Sequence, residues 1–131
     1  MKNTFIILMI GFLFISCSKE DLSDDIIIGK WQPIKMYDAE TDIQMHICSP
    51  HMFTEYRNDG TFYSGFRSSN IPDECKTIDF ALGWTWKNLG NNQYAMKLNQ
   101  ERADIYIVTK QAQNLLIEIP GENIVTVYKR I

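Results

Sequence analysis

Period-two alternation, cut at short intervals by turn residues, is the feature that most constrains this chain. Across Ile78–Lys87, Phe80, Leu82, Trp84 and Trp86 fall on one side of an extended backbone. Asp79, Ala81, Gly83, Thr85 and Lys87 fall on the other. That period and contrast predict a half-buried strand. Asp59-Gly60, a pair that accepts positive φ, separates Met52–Arg57 from Thr61–Arg67 and predicts a hairpin. Gly29–Tyr37 precedes them as a further candidate strand. After a turn over Leu89–Asn92, Tyr94, Met96 and Leu98 share a face. Ala103–Lys110, Leu115–Ile119 and Ile124–Arg130 follow, the last rich in β-branched residues. No segment has a helical period, and only Asp21–Ile27 suggests a helical turn, with Ser23 as its cap. Eight sequential antiparallel strands make a meander, and closing a meander removes its exposed edges. The expected fold is all-β: an eight-stranded antiparallel up-and-down barrel.

Composition bears mainly on what the barrel does not do. At 131 residues the chain has room for one core. A hydrophobic fraction of 45% excludes a disordered acidic protein. A net charge of −3 supplies no basic face, so a nucleic-acid partner is not expected. The sequence has no Gly-x-Ser-x-Gly, no phosphate-binding Walker loop and no His-Glu-x-x-His. His46 and His51 lie in one segment with no evident acid–base partner. Neither catalysis nor a cofactor is expected.

The first residues read as an address. Met1-Lys2-Asn3 is a short positive start, and Phe5–Ile15 is uncharged. That run falls short of the about 20 apolar residues a membrane-spanning helix needs and fits a secretory signal core. It ends in Leu13-Phe14-Ile15-Ser16-Cys17, which resembles the lipobox of bacterial lipoproteins. The resemblance implies cleavage before Cys17 and acyl chains on that cysteine, making the membrane a partner through a lipid anchor. The chain then divides into a signal peptide (1–16), a lipidated cysteine with an acidic tether (17–27) and a barrel (28–131). Lys19 followed by acidic residues also resembles the surface-export signals of Bacteroidota lipoproteins. The expected location is the outer membrane, facing the periplasm or the cell surface.

With Cys17 so occupied, Cys48 and Cys75 remain as an even pair in an oxidising setting. They flank the Asp59-Gly60 hairpin, so a disulfide between them would close its open end. The alternative is a metal site built on His46, Cys48 and His51. Its spacing matches no standard zinc pattern, and no second ligand pair follows.

Gly29-Lys30-Trp31 resembles the lipocalin signature. In lipocalins such a Trp packs at the closed end of the barrel beneath a basic residue from near the chain's end, here Arg130 or Lys129. Cys48, Phe53, Asn58-Asp59-Gly60-Thr61-Phe62, Cys75 and Trp84-Thr85-Trp86, in that order, resemble the small lipocalin-like domains of Bacteroidota lipoproteins. Ser49-Pro50-His51 departs from the acidic residues that often follow the first cysteine there. The resemblance implies a small hydrophobic ligand. If Phe62, Phe66, Trp84, Trp86, Tyr94 and Met96 point inward, they line an apolar cavity for it. Alternatively the same side chains fill the barrel, and the loops around Pro50, Pro72 and Arg67–Asn70 present themselves to a protein partner. Cavity volume separates the two readings, with about 300 Å³ as the lower bound of ordinary ligand sites.

Overall fold

The computed structural model describes residues 24–42, 48–78, 80, 83–98 and 102–131. Cys17, Ser23 and His46 lie outside the described residues, as do Asp79, Ala81 and Leu82. The strands are β1 (Gly29–Asp38), β2 (Met52–Tyr56), β3 (Thr61–Phe66), β4 (Trp84–Gly90), β5 (Gln93–Lys97), β6 (Asp104–Gln111), β7 (Asn114–Ile119) and β8 (Ile124–Arg130). Each pairs antiparallel with its chain neighbour, and β1 pairs with β8, so the meander closes into the expected eight-stranded barrel.

The two ends of the barrel differ in how the chain turns. At one end the connections are tight and rest on residues that accept positive φ. Gly60 has φ +81°, Asn91 and Asn92 have 52° and 61°, and Ala112 has 54°. Asp59 fixes the first of these turns by accepting hydrogen bonds from Thr61 N at 2.9 Å and Thr61 Oγ1 at 2.6 Å. We call this end the floor. At the other end, the mouth, the β1–β2 and β3–β4 connections are long and carry short 3-10 turns at Ser49–His51 and Asp73–Cys75.

One strand differs from the sequence expectation. Its alternation begins at Ile78, but β4 begins at Trp84. Gly83 has φ +87°, which an extended strand cannot pass through, and Ile78 N donates back to Cys75 O in a turn. β4 in turn runs through Leu89 and Gly90, where a turn was expected, with its register broken between Asn88 and Gly90. Among the described residues β3 meets β4 only at Thr61–Thr85 and Phe62–Trp84.

The floor is closed by the segment just ahead of β1, which the sequence reading had assigned to the tether. Ile27 is fully buried, and its carbonyl accepts a 2.7 Å hydrogen bond from Trp31 Nε1. Asp25 organises the turn. Asp25 Oδ1 accepts from Ile27 N at 3.1 Å and from the Tyr94 hydroxyl at 2.6 Å, while Oδ2 accepts from Asn88 Nδ2 at 2.7 Å. The segment is thereby laced to β4 and β5. The Arg130 guanidinium lies 5.6 Å from the centroid of the Trp31 ring. Gly29 (φ +135°) lets it approach, because a β-carbon there would sit 3.1 Å from Arg130 Nη2.

Candidate functional site

Strand register decides which side chains enter the lumen. Facing residues of antiparallel neighbours point to the same side, so each assigned pair fixes the next around the barrel. Tyr56 faces Phe62, Phe62 faces Trp84, and Trp86 faces Met96. Tyr94 faces Tyr106, and Leu115 faces Tyr128. All belong to the central cluster or pack against it, together with Ile27, Trp31, Val108 and Ile117.

Of the six residues expected to line a cavity, Phe62, Trp86, Tyr94 and Met96 are buried in that cluster. Trp84 packs against it, its ring 5.3 Å from Phe62. Phe66 sits apart at the mouth, edge-on to Phe80 at 5.1 Å. The polar tips of the buried aromatics have partners. Trp86 Nε1 donates to Arg57 O at 3.0 Å and Thr61 O at 3.2 Å, and Tyr94 donates to Asp25. Large side chains therefore fill the floor half of the lumen.

The mouth half is not filled. A cavity of about 150 Å³ lies there, walled by Phe62, Met96, Leu98 and Ile117. Its polar groups are hydroxyls: Thr54, Ser64, Tyr56, Tyr106 and Tyr128. Thr54 and Ser64 hydrogen-bond each other at 2.8 Å across β2 and β3, and the Tyr56 hydroxyl donates to Met96 Sδ at 3.8 Å. A second cavity of about 330 Å³ opens at the mouth between the inner faces of β1 and β8 and the two long connections. Pro33, Met36, Thr126 and Tyr128 line one side, and Ser49, Met52, Glu74, Thr77 and Ile78 the other. Tyr128 belongs to both cavities and stands between them.

The wall of the mouth cavity is held by a disulfide. Cys48 and Cys75 are bonded to each other and fully buried, joining the β1–β2 and β3–β4 connections. This commits Cys48 Sγ to Cys75 and removes it from the alternative metal set. Among the described residues no group of three His, Cys, Asp or Glu side chains is placed to hold a metal ion. The loop around Arg67 is pinned too. Arg67 Nη1 donates to Gln32 Oε1 at 2.8 Å, and Gln32 Nε2 donates to Pro50 O at 2.7 Å.

The tyrosines set the electrostatics of the lumen. Burial, aided by Tyr106, pushes the Tyr128 hydroxyl up to about 12. Burial also raises Tyr56 well above its ordinary value, with Tyr128 and Tyr106 adding to the shift. Tyr106 is raised by burial first, then by the Asp104 and Glu122 carboxylates. Tyr94 is raised by burial and by its hydrogen bond to Asp25. An unfolded tyrosine ionises near pH 10. The folded state keeps protons that the unfolded chain then releases, so the stability these groups contribute is intact below about pH 10 and lost as pH climbs towards and past 12. Alkaline titration should show the phenolate absorbance of four of the six tyrosines appearing only as near-ultraviolet circular dichroism is lost. Ionisation of all six near pH 10, with the fold intact, would contradict it.

Sequence reasoning missed Thr54, Tyr56, Ser64, Tyr106 and Tyr128 as lumen residues. The alternation of Tyr106 with Ile105 and Ile107, and of Tyr128 with Val127 and Lys129, carried that signal. Which face was inner depended on the register. No protein-family model matches the chain, and no curated protein matches it closely enough to count as a relative.

Proposed function

We propose that this protein is an exported, lipid-anchored barrel of the lipocalin-like kind that binds a small, largely apolar molecule through its mouth. The observation that carries the reading is the half-filled lumen. The inner cavity of about 150 Å³ is the size that accepts one benzene ring in an otherwise packed protein. The mouth cavity beside it, at about 330 Å³, falls within the range of ordinary ligand sites. Aromatic and thioether walls with a few converging hydroxyls are the usual composition of such sites. Catalysis is not part of the proposal. The mouth and floor also suit the proposed anchor. The described chain enters β1 from the floor, so the proposed anchor joins the barrel at the end opposite the mouth.

Titration with N-phenylnaphthylamine, an uncharged fluorescent apolar probe, tests the reading. Saturable binding at one site is expected, with quenching of tryptophan emission through Trp84 and Trp86. Ser64→Phe places a ring in the inner cavity and should weaken probe binding about tenfold or more, a loss of about 1.4 kcal/mol. Circular dichroism confirms that the variant is folded. Absence of saturable binding to the parent protein, or a folded Ser64→Phe variant that binds equally well, would favour a protein-presenting role for the loops instead.

A further inference from the structure

We propose that the barrel selects uncharged amphiphiles over carboxylates, with Tyr128 as the specificity-determining residue. The apolar end of the ligand enters the inner cavity, and its hydroxyl or carbonyl oxygen meets the Tyr128 hydroxyl. This rests on the binding reading above and adds the chemistry of the ligand.

Three observations converge. First, among the described residues no charged side chain lines the inner cavity, and the one in the mouth cavity is a carboxylate, Glu74. An incoming carboxylate would lose its water and gain no cation, which is the costly case of burying charge. Second, two further carboxylates act on Tyr106, a lining residue of the inner cavity. Asp104 opens β6 on the same side of the strand as Tyr106, being the register partner of the buried Met96. Asp104 and Glu122 both act on the Tyr106 hydroxyl. Third, Tyr128 is built to receive an oxygen. Tyr128 lines both cavities, and its hydroxyl has no hydrogen-bond partner among the described residues. Of the other inner-cavity hydroxyls, Thr54 is engaged with Ser64 and Tyr56 with Met96, while Tyr106, unlike Tyr128, does not reach the mouth cavity. A hydroxyl without a protein partner, on a residue that lines a cavity, is available to a ligand oxygen. As a phenol that stays protonated, Tyr128 donates to a neutral oxygen.

Decanol, decylamine and decanoate share one chain and differ in the charge of the head. Each is titrated at neutral pH in competition with N-phenylnaphthylamine. Decanol should displace the probe at least about tenfold more effectively than decanoate. Tyr128→Phe keeps the ring and removes the hydroxyl. It should weaken decanol about fivefold to tenfold relative to the probe, whose affinity is measured directly on the same variant, and circular dichroism shows that the variant is folded. Decanoate binding as tightly as decanol would overturn the charge selection, as would decylamine binding less tightly than decanoate, because the nearby carboxylates favour an ammonium over an anion. Unchanged decanol affinity in Tyr128→Phe would overturn the role of Tyr128. In both cases the probe still binds, so the binding reading stands. Failure of the probe to bind the parent protein would instead remove that reading.

Discussion

Trp31→Ala is expected to destabilise the barrel by about 3–5 kcal/mol. Losses of that size are a large share of the stability of a domain this small. Trp31 is 1% exposed, and three interactions end with it. Its ring fills the floor against Ile27, its Nε1 satisfies the Ile27 carbonyl, and its face supports Arg130. The substitution leaves a void, an unpaired buried carbonyl and a guanidinium without its ring. Trp31→Phe separates the contributions. It keeps most of the ring and loses only the N–H donor and some volume, so a smaller loss of about 1–3 kcal/mol is expected. Chemical denaturation followed by circular dichroism measures both. A Trp31→Ala loss below about 1 kcal/mol would mean that the floor contributes little to holding the barrel closed.

Replacing Cys48 and Cys75 together by serine has the second-largest expected effect. The bond closes a span of 27 residues containing the β2–β3 hairpin. In the chain-entropy account, releasing such a loop in the unfolded state costs about 3.5 kcal/mol. For a domain of this size that corresponds to a fall in Tm of about 15 °C or more. Both sulfurs are buried, so two hydroxyls in their place add a desolvation cost. Binding should suffer with stability, because Ser49, Glu74, Thr77 and Ile78 of the mouth wall all lie within three residues of one cysteine or the other. The measurements are thermal melting and N-phenylnaphthylamine affinity of the double variant. A Tm within about 3 °C of the parent would mean that the hairpin and mouth are held without the covalent bond.

The fold was legible in the sequence because its signals are local. Asp59-Gly60 marks a turn wherever it occurs, and alternating Tyr94, Met96 and Leu98 mark a buried face without knowledge of the partner. The cysteines were legible as a pair by the same kind of reasoning. What escaped was decided by distant contacts. Asp25 looked like one more acidic tether residue, yet its partners Asn88 and Tyr94 are 63 and 69 positions away. Alternation across Ile78–Lys87 promised a long strand, and a single positive φ at Gly83 shortened it. The lumen was half legible. Phe62, Trp86, Tyr94 and Met96 announced themselves by bulk and spacing. The hydroxyls of Tyr106 and Tyr128 acquired their place only when β8 closed onto β1. Closure is a property of the whole sheet and is not written in any one strand.

The brief pairing of β3 with β4 has a bearing on how this molecule meets its own copies. Above Phe62, no described strand pairs with Tyr63–Phe66 on the β4 side. A barrel owes its freedom from edge-to-edge aggregation to having no edges, and among the described residues this stretch is the nearest the wall comes to one. The sequence blunts it. Gly65 interrupts the apolar run, Phe80 lays a ring against Phe66, and the disulfide keeps the 67–78 connection close to β2 and β3. Seen from the side of solubility, the Cys48–Cys75 bond is a guard on that edge. Reduction would remove the covalent hold on the connection that covers that stretch of β3.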